Sequence, residues 1–175
     1  MQETLTADYV LQLAEQIERN GQQYYFAAAQ IYPGGRGIFL ELAQVELDHE
    51  KAFAEIRSRL ALKPAPPIDE QGNLAHYIRS LAAGTFFEFG ADPTRVFREN
   101  NSPQNIVWSS IGLEKETILF YEGVERIMPE PSDQKTVDAI IAAEVSHIGT
   151  LVKFLQSKSD ERPLSPEWKK EVRST

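Results

Sequence analysis

From about Thr6 to Gln30, Val10, Ala14, Ile17, Gly21, Tyr25 and Ala28 recur at steps of three and four, the spacing of one helical face. Glu18 falls inside that face. The stretch Tyr32-Pro33-Gly34-Gly35-Arg36-Gly37 stops the helix and is short enough that the next element must turn straight back. From about Ile38 to Leu60 a second helical stripe carries Phe39, Leu42, Glu46, His49, Phe53, Ile56 and Leu60, so an acid and an imidazole interrupt an otherwise apolar seam. Prolines 64, 66 and 67 end that helix and open a long connection, about 61–102. Within it a short helix is predicted over Gln71–Ala83, and Phe86, Phe87, Phe89 and Phe97 supply aromatic surface to pack onto a larger body.

Ser102-Pro103 reads as a helix start, serine capping and proline in the first turn. A third stripe follows with Val107, Ile111, Glu114, Ile118 and Tyr121, ending near Met128 before Pro129 and Pro131. Ser132 is then the expected cap of a fourth helix whose face carries Val137, Ile140, Ile141, Glu144, His147, Leu151 and Phe154. The predicted architecture is all-α: two tight helical hairpins joined by one long crossover, which a four-helix bundle needs when its second and third helices run parallel. The bundle is expected to span 1–158 as one domain, leaving 159–175 as a polar tail to which no function is assigned.

The hairpins repeat one another. Ile17-Glu18-Arg19 aligns with Leu113-Glu114-Lys115, and each Glu is followed seven places later by a tyrosine, Tyr25 or Tyr121. The following helix of each half carries E-x-x-H, as Glu46/His49 and Glu144/His147, 28 residues after Glu18 in one half and 30 after Glu114 in the other. Positions i and i+3 share a helical face, so each such pair can grip one ion without distorting backbone. Packed face to face, the hairpins bring four glutamates and two histidines to one point, as a di-iron or di-manganese carboxylate site requires. Four bare carboxylates in an apolar core are prohibitively costly, whereas four negative charges against two divalent cations sum to zero. The competing reading is a set of buried ion pairs without metal, but few Lys or Arg lie on these stripes.

Composition narrows the chemistry. The chain has no cysteine, which removes disulfides, thiolate zinc sites, iron–sulfur clusters and thiol nucleophiles. Oxygen and nitrogen donors remain; they suit iron or manganese, with zinc possible. A formal net charge of -8 argues against nucleic acid or an anionic membrane as partner. No apolar run is long enough to span a bilayer, and Met1-Gln2-Glu3-Thr4 lacks the start of a signal peptide, so a cytoplasmic protein is expected.

At these residues the chain resembles the ferritin-like superfamily, and within it the rubrerythrin-like proteins without a rubredoxin module. The resemblance covers about 6–158. It implies a four-helix bundle with a di-iron centre that reacts with peroxide or dioxygen, fed by an external electron donor, in a homo-oligomer, expected as a dimer. It also implies roles: Glu18 and Glu114 as terminal ligands, Glu46 and Glu144 bridging, His49 and His147 each capping one iron. Tyr25 and Tyr121 are placed to hydrogen-bond ligands of the opposite half, against the alternative that they are core tyrosines. Typical rubrerythrins carry a further glutamate three residues after the third-helix ligand, where this chain has Thr117, and no C-x-x-C pair holds a rubredoxin iron. Three functions follow as expectations: a peroxidase- or ferroxidase-type oxidoreductase, an iron-binding or storage protein without turnover, and a bundle whose site is vestigial. His76 has no glutamate at helical spacing and stays outside the site; Asp48, Glu50, Glu116 and Glu122 are read as solvated charges, and Tyr24 and Phe120 as packing.

Overall fold

The computed structural model describes residues 6–61, 73–82, 92–99 and 102–158. Helix α1 (Ala7–Ile31) starts at Thr6, whose hydroxyl accepts from the Tyr9 N–H at 3.2 Å, and its end is tied by the Tyr32 N–H to the Ala28 carbonyl. A 3₁₀ turn, Pro33–Gly35, runs directly into α2 (Arg36–Leu60), so the second helix begins two residues earlier than its apolar stripe implied. Gly35 is required there. A Cβ on it would stand 2.8 Å from the Phe39 ring and 3.2 Å from that of Phe154, closer than packed carbon atoms allow.

Ser102 caps α5 (Pro103–Ile127), accepting from the Asn105 N–H. Helix α6 (Pro131–Lys158) does not start where expected. Pro131 occupies its first position, and the Asp133 and Gln134 N–H groups bond the Glu130 carbonyl, which puts Ser132 inside the first turn rather than at the cap. Between the hairpins, α3 (Asn73–Ala82) lies within the predicted short helix. It packs on α5, with Ile78 buried beside Gly123 and the Tyr77 hydroxyl donating to the Leu119 carbonyl. The short α4 (Val96–Glu99) inserts Phe97 against Tyr24 at 4.8 Å between ring centroids. The expected packing of Phe86, Phe87 and Phe89, and the tail 159–175, lie outside the described residues.

The interior is divided in two. One apolar cluster joins Val10–Ile17 of α1 to Phe53, Ile56 and Leu60 of α2, Phe120 to Val124 of α5 with Met128 just past its end, and Val137 and Ile140 of α6. The other joins Tyr24–Ala29, Phe39–Ala43, Ile106–Ile111 and Leu151–Leu155 of the same four helices. Each helix therefore passes from one cluster to the other through a short polar interval, and the order of contacts makes α1 antiparallel to α2 and α5 and parallel to α6. Among the described residues no helix is long and apolar enough to cross a membrane.

Candidate metal centre

The polar interval between the clusters contains the six predicted residues. Glu18 of α1, Glu46 and His49 of α2, Glu114 of α5, and Glu144 and His147 of α6 are all buried. Their donor atoms form two overlapping quartets, Glu18/Glu46/His49/Glu144 and Glu46/Glu114/Glu144/His147, and within each quartet the atoms lie within 4.8 Å of one another. Glu46 and Glu144 belong to both.

Glu144 is the hub. Its Oε1 lies 2.8 Å from His49 Nδ1 and its Oε2 lies 2.8 Å from His147 Nδ1, while the two imidazoles stack at 6.0 Å. His49 Nδ1 is also 3.7 Å from Glu18 Oε1, and His147 Nδ1 is 3.6 Å from Glu114 Oε1 and 3.9 Å from Glu46 Oε1. The 2.8 Å approaches lack hydrogen-bond alignment. Both Nδ1 atoms, both Glu144 oxygens and Glu18 Oε2 are buried with no hydrogen-bond partner. Gln22 Nε2, one turn beyond Glu18, shares that condition.

Buried donors left orphaned while lying this close together fit a cation between them. Two ligands at right angles about a cation with bonds of about 2.1 Å stand about 3 Å apart, and opposed ligands about 4.2 Å. The observed 2.8–3.9 Å separations fall largely in that interval. The alternative of plain ion pairs fails on cations: no Lys or Arg reaches these carboxylates among the described ion pairs.

Electrostatics states the same strain. Burial, reinforced by neighbouring carboxylates, pushes Glu18 and Glu46 well above the usual carboxylate range and raises Glu114 to about 8. Burial would raise Glu144 too, but the two imidazoles outweigh it and hold that group down at about 2. His147 gains more from Glu114 and Glu144 than it loses by burial and rises to about 10, and His49 is raised for the same reason.

The tyrosines cross between halves. The Tyr25 hydroxyl of α1 donates to Glu114 Oε1 on α5, and the Tyr121 hydroxyl of α5 donates to Glu18 Oε1 on α1 at 2.5 Å. Burial and the adjacent carboxylates raise both phenols well above their ordinary value, so both keep their protons. Tyr24 and Phe120 are fully buried, with the Tyr24 hydroxyl donating to the Ile106 carbonyl. Asp48, Glu116, Glu122 and His76 are exposed, and Glu50 is half-buried in an ion pair with Arg19 at 2.7 Å.

A crystal structure of a protein from Thermotoga maritima, assigned as a ferritin-like diiron-carboxylate protein, superposes with a TM-score of 0.67 over 90% of this chain and 99% of that one, at 20% identity. The fold is ferritin-like. No family model and no curated protein matches the sequence.

Two features of this ferritin-like bundle escaped the sequence reading. Gly21 sits where a Cβ would come within 3.2 Å of Glu46 Cδ, so the Glu46 carboxylate lies directly against the α1 backbone. A glycine in mid-helix, costing about 1 kcal/mol relative to alanine, was the available signal. Thr117, not Ile118, turns inward: Thr117 is buried and Ile118 only half-buried.

Proposed function

We propose that the protein is a non-haem di-iron oxidoreductase that reduces peroxide or dioxygen at a carboxylate-bridged metal pair. The observation that carries this reading is the pair of overlapping donor quartets sharing Glu46 and Glu144. In it, Glu18 and His49 hold one ion, Glu114 and His147 the other, and Glu46 and Glu144 serve both. Manganese in either position satisfies the same donors.

A bound pair of iron ions supplies two electrons to one oxidant molecule and recovers them from a donor. The chain does the rest. Tyr25 and Tyr121 each hold a proton against a terminal carboxylate and fix its orientation. The apolar clusters above and below keep bulk water from the reacting centre. Reduction of hydrogen peroxide takes two electrons and two protons and yields two waters; with no cysteine in the chain, the electrons come from a separate protein or a small reductant.

Anaerobic loading with two equivalents of Fe(II), followed by peroxide or air, should develop the near-ultraviolet absorption of a coupled diferric pair. A Glu144→Ala/His147→Ala variant should not. Turnover with an artificial reductant identifies an oxidoreductase; uptake of iron far beyond two per chain identifies storage instead. Absence of iron binding by the wild-type chain would sink both.

A further inference from the structure

The two halves of the cluster match in sequence but not in surroundings. A cavity of about 10 Å³, room for about one water molecule, lies between α1 and α5 and is partly open to solvent. Its walls are corresponding positions of the two halves: Ile17 with Leu113, and Gly21 with Thr117. Its inner end is one-sided. There the cavity meets Glu46, Glu114 and Tyr25, but not their counterparts Glu144, Glu18 and Tyr121. Glu18 and Tyr121 are sealed at 0% exposure.

Gly21 accounts for part of this asymmetry. With no side chain there, the Glu46 carboxylate leans onto α1 and borders the cavity, while Glu144 is drawn to the two imidazoles on the other side. Glu46 and Glu114 both belong to the quartet completed by His147; the quartet completed by His49 touches the cavity through the shared Glu46 alone.

We propose, resting on the two-metal reading above, that the position held by Glu114 and His147 alone takes an exogenous ligand, and that Gly21 and Thr117 set the bore of the passage to it. The position held by Glu18 and His49 is closed. With room for about one water molecule, the passage excludes bulky ligands, and the carbons that a leucine at 117 would add are enough to fill it.

The test uses the full chain loaded with Co(II), whose visible spectrum reports coordination, and azide as the probe. The wild type should bind two Co(II) and then one azide. Thr117→Leu should still bind two Co(II), with azide affinity at least tenfold weaker, whereas Thr117→Val, which keeps the volume, should behave as wild type. His49→Ala should retain the azide spectrum and His147→Ala should lose it. Two azides per chain, undiminished affinity in Thr117→Leu, or the reverse pattern in the histidine variants overturns the inference while leaving the metal pair standing. Fewer than two Co(II) on the wild type overturns the two-metal reading and this inference together.

Discussion

At the scale of the residue, the cluster is held by groups that seldom survive burial unaided. Tyr121 donates a hydrogen bond to Glu18 Oε1 from across the bundle, and Glu18 Oε2 is buried with no hydrogen-bond partner. Tyr121→Phe should therefore destabilise the metal-free protein by about 1–3 kcal/mol, the cost of a buried acceptor losing its donor. Urea denaturation of the two proteins checks this; an unchanged midpoint would mean that Glu18 does not depend on the phenol. Gly21→Ala separates two effects. Alanine improves helix propensity by up to about 1 kcal/mol, and in metal-free protein the flexible Glu46 side chain can retreat by the few tenths of an ångström required. Bound metal pins that carboxylate, so the variant should keep metal-free stability near wild type yet bind Fe(II) several-fold more weakly, measured by competition with a chromophoric chelator.

At the scale of the element, the helices were legible because their apolar periodicity, caps and prolines agree with one another. All four long helices appear where the 3.6-residue stripes put them, with ends displaced by no more than about three residues. The displacements have local causes: a 3₁₀ turn draws Arg36 into α2, and Pro131 takes the first position of α6. Stripes alone could not say that Thr117 faces inward in place of Ile118, because a threonine gives no hydrophobic signal and the choice depends on which neighbour packs above it. Nor could they find the bond that ties the end of α2 to the start of α6. Arg59 Nη2 meets Asp133 Oδ1 at 2.6 Å, and Asp133 is buried although Arg59 is half-exposed. Asp133 also lies in the first turn of α6, where the helix dipole supports a negative charge. Arg59→Ala should thus cost only about 1 kcal/mol, and thermal unfolding should show a small loss with the metal stoichiometry unchanged.

At the scale of the whole molecule, protonation and metal occupancy compete for the same interior. Glu18, Glu46 and Glu114 are raised above their unfolded values, as are His49 and His147, so over the intervening pH range the folded metal-free protein binds more protons than the unfolded chain. Stability gained this way is fully present below the ordinary values of these groups. It is lost as pH rises through about 8 for Glu114 and about 10 for His147. Glu144 acts oppositely, contributing above its ordinary value and losing that contribution as pH falls towards about 2. The melting temperature of metal-free protein should accordingly fall between about pH 6 and pH 9, while metal-loaded protein changes less. Binding must also expel protons, on the order of two to five per chain, so affinity for Fe(II) or Mn(II) should rise steeply with pH. Calorimetry in buffers of different ionisation enthalpy measures that release, and a value near zero would contradict the charge distribution described here. The duplicated Glu, Tyr and E-x-x-H pattern made the six donors visible in sequence, since a repeat in register is hard to produce without a shared centre. Its asymmetry was not visible, because it arises from how Glu46 settles against Gly21 in three dimensions.

The apolar interior is built as two storeys separated by an ionic floor, and every long helix runs through both. The two storeys share no residue, so a conservative substitution within one changes no apolar neighbour in the other. A cation pair seated there would act as a rivet, converting two loosely dependent oily blocks into one cooperative body.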